Sequence, residues 1–180
     1  MTKTTAMRRS FDLRRKALVT AALLVASCST EVGMRPERGS SSTAAEHNER
    51  LGRRYFEEVW NQGRLDVLDE LLAPDYINHT PSTPAPPPGP AGLKPIVQAI
   101  RDAFPDLHYR IEDAVATDDA VIMRVVMTGT HRGALFGLAP TGHRIEVNQI
   151  NFERIRNGRI AEHWRVTDEL ALMRQLGVVP

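Results

Sequence analysis

Hydrophobic positions recur at two different spacings along this chain, and the spacing changes at Pro105. Before it, apolar residues return every three to four positions. Leu51, Tyr55 and Val59, with His47 one turn earlier and Phe56 and Trp60 alongside, predict a helix over residues 46–61 that stops at Asn61-Gln62-Gly63. Leu65, Leu68, Leu71 and Leu72 share one face of a second, shorter helix, ended by Ala73-Pro74. Residues 75–79 read as a short extended piece. Pro81, Pro84, Pro86, Pro87, Pro88 and Pro90 then exclude any regular hydrogen-bonded element, so residues 80–90 form a rim loop. Ile96, Val97, Ile100 and Phe104 predict a third helix from Gly92 or Leu93 to Phe104, with Pro95 in the first turn, where its missing N–H is harmless.

Beyond Pro105 the period shortens to two, and strands are predicted over residues 107–116, 120–130, 145–155 and 159–167. Thr117-Asp118-Asp119 joins the first pair, a loop at 133–142 the second, and Asn157-Gly158 is a tight hairpin signal for the third. A short amphipathic helix follows Asp168. Helices first and strands afterwards predict an α+β domain, a curved antiparallel sheet capped by N-terminal helices, whose concave face is a natural apolar pocket.

The first 45 residues do not fit that domain. Arg8, Arg9, Arg14, Arg15 and Lys16 precede an apolar stretch from Ala17 to Ala26 that is too short to span a bilayer. Val25-Ala26-Ser27-Cys28 resembles a bacterial lipobox, which makes residues 1–28 a lipoprotein signal and Cys28 the lipidated N-terminus. Arg8-Arg9-Ser10-Phe11 also resembles a twin-arginine export motif, with Asp12 departing from it. Residues 29–45 read as a flexible linker and residues 46–180 as the folded domain. The expectation is an exported protein, lipid-anchored to a bacterial membrane in the cell envelope. Removing the leader also changes the charge: it holds six of the 23 basic residues and one of the 22 acidic ones, leaving 17 against 21, a net −4. That balance, with no basic run, disfavours nucleic acid. Cys28 is the only cysteine, so a disulfide within the chain is excluded.

Strand parity selects the candidate chemistry. Ile160, Glu162, Trp164, Val166 and Asp168 fall on one face, so a buried face would place the Asp168 carboxylate in an apolar cavity, where burial raises its pKa toward neutrality. Thr167 or Asp168 also suits the cap of the following helix. His163, of opposite parity, is assigned to the convex face and left out of the site. His79 ends an extended segment beside the proline loop, where it either meets a ligand carbonyl or holds the loop. His131 reads as stabilising a turn, Arg124 as solvated or oxyanion-binding, and at most one of Asn148 and Asn151 as facing the cavity. The histidines lack a short metal-ligand spacing, so no metal is expected. Gly-X-Ser-X-Gly and phosphate-cradling loops are absent, which gives no support to a serine hydrolase or a nucleotide enzyme.

Asn78-His79-Thr80-Pro81, Ala103-Phe104-Pro105-Asp106-Leu107, Gly129-Thr130-His131, Pro140-Thr141-Gly142 and the ending Glu162-His163-Trp164…Asp168…Gln175-Leu176-Gly177 resemble the SnoaL-like polyketide cyclase, or ester cyclase, family. The resemblance spans residues 46–177. It implies a cone-shaped α+β barrel like those of ketosteroid isomerase and nuclear transport factor domains. It also implies acid/base catalysis by one aspartate, matched by Asp168, with no cofactor or metal. His79, Tyr55 and Trp164 match positions that line the family's cavity: His79, as a second catalytic residue, or Tyr55 would polarise the substrate oxygen, and Tyr55 and Trp164 would bind substrate. The expected reaction is a cyclisation or isomerisation of a small, largely apolar carbonyl compound by proton transfer and intramolecular aldol addition. A non-catalytic, surface-anchored binding module for a hydrophobic molecule is the alternative, and a homodimer is expected in either case.

Overall fold

The computed structural model describes residues 39–180. The proposed leader, Cys28 and the first part of the proposed linker lie outside the described residues. The elements run α1 (Gly39–Arg54), a π-helical continuation (Tyr55–Asn61), a 3-10 turn (Leu65–Val67), α2 (Leu68–Leu71), β1 (Leu72–Asn78), α3 (Pro90–Ala103), β2 (His108–Ala116), β3 (Ala120–Thr130), β4 (Arg144–Arg156), β5 (Arg159–Thr167) and α4 (Glu169–Gln175). The α+β class and the four long strands match the sequence pattern. α1, however, begins at Gly39, inside the stretch read as linker.

Where the helical stripe was read at a period of 3.6, the chain widens into a π-helix at Tyr55. Tyr55, Phe56, Val59 and Trp60 are all buried along it. One turn earlier it is Asn48, not His47, that points inward, donating from Nδ2 to the Thr117 carbonyl at 2.8 Å.

The sheet has the order β1-β5-β4-β3-β2 and is mixed, because β1 runs parallel to β5 at one edge while every other pair is antiparallel. Helical Leu51, Tyr55, Phe56 and Val59, α3 residues Leu93, Ile96 and Val97, and the strand residues Met123, Val125, Met127, Ile145 and Val147 form one core on its inner face. Three register shifts bend the sheet, one on each of the β1–β5, β2–β3 and β4–β5 pairs.

The shift between β4 and β5 decides the site. Ile155 pairs with Ile160, yet the next residue back on β4, Arg154, pairs with Glu162. Ala161 is therefore an extra residue on β5, and it reverses the strand's parity. Ile160 points inward as expected, but beyond the bulge the inward positions are His163, Arg165 and Thr167. The expectation that Trp164, Val166 and Asp168 share the buried face is corrected by that one residue: Val166 is 73 % exposed and His163 is buried.

Candidate active site: a polar ladder in an apolar cavity

Three consecutive rungs of the β4–β5 ladder are polar on their inner face: Gln149 opposite Thr167, Asn151 opposite Arg165, and Glu153 opposite His163. Gln149, Asn151, Glu153 and His163 are all buried. On the facing strand β3 the corresponding partners of β4 are Val125, Met123 and Val121, so the ladder is a polar stripe on an apolar wall. A cavity of about 420 Å³ opens over its outer end. Its apolar walls come from Ile100 and Phe104 at the end of α3, Tyr109 of β2, Met127 of β3 and Leu135 and Phe136 of the β3–β4 loop. Thr80, Pro81 and Ser82 of the rim loop and Glu169, Leu172 and Met173 of α4 frame its mouth, and Gln149, Arg165 and Thr167 supply its polar side.

At the inner end, His163 Nδ1 and Glu153 Oε1 are 2.8 Å apart, with Glu153 only 1 % exposed. The second carboxylate oxygen of Glu153 is buried without a hydrogen-bond partner, as are Asn151 Nδ2 and Thr167 Oγ1. Unmade hydrogen bonds in a buried site are costly, so this stripe is suited to being completed by a ligand. Burial raises the phenol of Tyr55, with the Glu153 carboxylate adding to the effect. Tyr76 is raised by burial too, and Tyr109 is pushed up to about 12 by burial against the opposing charge of Arg165. All three phenols therefore stay protonated at neutral pH and can act as hydrogen-bond donors, not as bases.

The residues selected from sequence divide between the two faces. Tyr55 is buried at the inner end of the cone, near Glu153. His79 and Trp164 come together, but away from the cavity: their rings stack at 4.3 Å, His79 Nε2 pairs with Glu162 Oε2 at 2.8 Å, and Phe152 meets Trp164 edge-on. Asp168 is exposed and caps α4, accepting from the Ala171 N–H at 3.0 Å. Its neighbours Thr167 and Glu169 line the cavity and it does not. The pocket-facing reading of Asp168 is thus corrected, because the bulge at Ala161 turns even-numbered residues outward. Asn151, not Asn148, faces inward, and Arg124 is exposed.

His131 holds its turn, with Nδ1 accepting from the Thr141 N–H and meeting its hydroxyl; burial lowers its pKa. His163 and Arg165 were missed because nothing in the local sequence marks Ala161 as a bulge; Glu153 shares the parity of Ile145, Val147 and Ile155 on β4, and that alternation could have placed it inside. Among the described residues no three His, Cys, Asp or Glu side chains cluster as a metal ion would require.

The short motifs position this site. Asp106 accepts from the Thr130 N–H at 2.6 Å and from its hydroxyl at 2.8 Å, tying the end of α3 to β3. Gln175 accepts from the Glu146 N–H and donates to its carbonyl, Leu176 is buried, and Gly177 turns with φ +74°. Together they fasten α4 to the start of β4, at the cavity mouth.

The family model of the SnoaL-like polyketide cyclases matches residues 50–176, which includes every element from the last turn of α1 to α4. The chain belongs to the SnoaL-like polyketide cyclase family. Nogalonic acid methyl ester cyclase of Streptomyces nogalater is 31 % identical over 121 residues, covering 66 % of this chain and 90 % of that protein. An aklanonic acid methyl ester cyclase of Streptomyces sp. strain C5 is 30 % identical over 126 residues, covering 67 % and 76 %. Among solved structures, TsrD of Streptomyces laurentii superposes with a TM-score of 0.68 at 28 % identity, over 74 % of this chain and 97 % of that one. IdmH of Streptomyces antibioticus superposes with 0.61 at 37 %, over 72 % and 97 %. This SnoaL-like domain thus has polyketide cyclases for relatives and an inner face that carries a row of polar groups.

Proposed function

We propose that the domain performs cofactor-independent enolate chemistry, a cyclisation or isomerisation, on a small polyketide-type carbonyl compound held in the cavity. The polar ladder carries this reading: Gln149, Arg165 and Thr167 line the otherwise apolar cavity, and the Glu153–His163 pair continues the same ladder inward behind them. The amides of Gln149 and Asn151 and the Thr167 hydroxyl would hold the substrate oxygen that becomes negative, the arrangement that stabilises an enolate in a water-poor site. The Glu153–His163 pair, one rung deeper, would take the proton from the activated carbon. The carbon–hydrogen pair then forms the new carbon–carbon bond by intramolecular aldol addition, and the resulting alkoxide recovers the proton. Tyr55, protonated and near Glu153, would add a hydrogen-bond donor at the inner end of the site.

Asp168 is the rival base from the family resemblance. A side-by-side comparison of Glu153→Gln and Asp168→Asn separates the two, using aklanonic acid methyl ester and nogalonic acid methyl ester as trial substrates and deuterium exchange at the activated carbon as a second readout. Loss of about 10²–10⁴-fold in Glu153→Gln, with Asp168→Asn near wild type, is the expected result. The reverse pattern would return the role to Asp168. Ligand bound but neither exchanged nor converted would instead favour a binding module.

The proposal includes compartment. The charged leader, apolar stretch and Cys28 together support an exported, lipid-anchored domain. Among the described residues no helix is long and apolar enough to cross a membrane. Labelling with a radioactive lipid precursor should mark the wild type and spare Cys28→Ser; an unlabelled wild type sinks this part.

A further inference from the structure

We infer that the cavity takes an organic anion, an apolar ring-containing body whose carboxylate sits on the guanidinium of Arg165. This rests on the reading that the cavity is the substrate site, and it narrows the substrate class from a neutral carbonyl compound to a free acid.

Arg165 is the cation on the cavity wall. Its Nη2 donates to the Ser82 hydroxyl at 3.1 Å, and its backbone N–H donates to the Thr80 hydroxyl at 2.8 Å. Among the described residues no carboxylate oxygen lies within 4.0 Å of its guanidinium. Arg53, Arg54, Arg64, Arg110, Arg154 and Arg156, by contrast, all pair with carboxylates. Other arginines also lack a carboxylate, but Arg101 and Arg159 donate to backbone carbonyls and Arg124 is exposed, whereas Arg165 lines the apolar cavity. A guanidinium drawn away from water without a counter-ion is unfavourable, and an incoming carboxylate would supply both the charge and the lone pairs.

The neighbouring groups point to the same ligand chemistry. Directly across the ladder, Asn151 is 2 % exposed and its Nδ2 has no acceptor. One rung nearer the mouth, the buried Thr167 hydroxyl also lacks a partner, and the Gln149 amide reaches the Met127 sulfur at 3.7 Å and the Tyr109 side chain. The Arg165 guanidinium, the Gln149 amide and the Thr167 hydroxyl on the cavity wall, with the Asn151 amide behind them across from Arg165, offer more donors than a single ketone or ester oxygen can use. Two equivalent carboxylate oxygens match the planar fork of an arginine and leave capacity for a neighbouring amide. The Glu153 carboxylate does not fill this role, because it is one rung deeper and hydrogen-bonded to His163. Glu169 at the mouth is exposed, so solvent screens its charge from the inner wall. The folded part is net acidic, so the positive site is local to this wall.

The test is equilibrium binding, which is independent of turnover. Calorimetric titration of the protein with 2-naphthoate and with methyl 2-naphthoate compares two probes that differ in the carboxylate alone. The acid should bind the wild type at least about tenfold more tightly than the ester. Arg165→Gln should erase that preference while leaving ester binding within about threefold. Arg165→Lys, which keeps the charge and loses the fork, should retain a reduced preference for the acid. Thermal melts of both variants establish that they are folded before titration. Equal affinity of the wild type for acid and ester, no binding of either probe at millimolar concentration, or acid binding unchanged in folded Arg165→Gln overturns the inference. Failure of the acid–base proposal alone appears as normal probe binding with no effect of Glu153→Gln on conversion, so the two can fail separately.

Discussion

The two faces of the β4–β5 hairpin are built from alternating residues of the same short sequence and do opposite things. Inward, Glu153, His163 and Asn151 are buried and Arg165 lines the apolar cavity, and here each unmade hydrogen bond matters. Outward, Phe152, Trp164, Ile150 and Val166 form cross-strand pairs on a face where Ile150 is 52 % exposed. Polar groups are inside and large apolar groups are outside, the reverse of what burial alone would choose. The inversion shows that the inner face was shaped by something other than stability. The outer apolar row, in turn, is a surface that association with a second copy could cover.

Neighbouring residues on the two faces allow a direct contrast, and the largest effect is expected inside. His163→Ala removes the partner of a buried carboxylate and leaves a void, and should cost about 3–5 kcal/mol in denaturant unfolding. Trp164→Ala, one residue later, loses a half-exposed stack on His79 and should cost about 1–2 kcal/mol. Equal losses would mean that the faces differ less than their burial implies.

An intermediate effect is expected where the hairpin ends. Asp168→Ala should lower stability by about 1 kcal/mol through loss of the α4 cap, and Asp168→Asn should be close to neutral, because both Asp and Asn accept from the same N–H. A large loss of stability in Asp168→Asn would show that the carboxylate has a buried partner that the cap does not explain.

The smallest effect on folding belongs to the open face. Val166→Lys should change monomer stability by less than about 0.5 kcal/mol. If the expected homodimer uses this face, the same substitution should halve the mass measured by light scattering. A wild-type dimer unaffected by Val166→Lys would move the interface elsewhere, and a monomeric wild type would remove it.

How far these properties could be read from the chain varies with the range of the interaction that sets them. The strands at 107–116, 120–130, 145–155 and 159–167 were legible because a period of two is a local signal, and Asn157-Gly158 marks its hairpin whatever surrounds it. β1 was harder, since its parallel pairing with β5 depends on residues far away in the chain. The site was legible only in outline: Tyr55, His79, Trp164 and Asp168 were all expected inside, but only Tyr55 is buried there, His79 and Trp164 stack on the other face, and Asp168 became a cap.

The sequence by itself determined the order of elements, the α+β class and the family, because periodicity, turn residues and short motifs act over a few residues. Which side of β5 meets the core was decided by tertiary structure. Ile160 must stay with Ile155 in the core while Glu153 takes His163, and both pairings fit only if Ala161 is extruded as a bulge. Parity is a property of one strand, but its phase is set by the partner strand. A single unpaired residue therefore exchanged Asp168 for Arg165 and His163 on the inner wall.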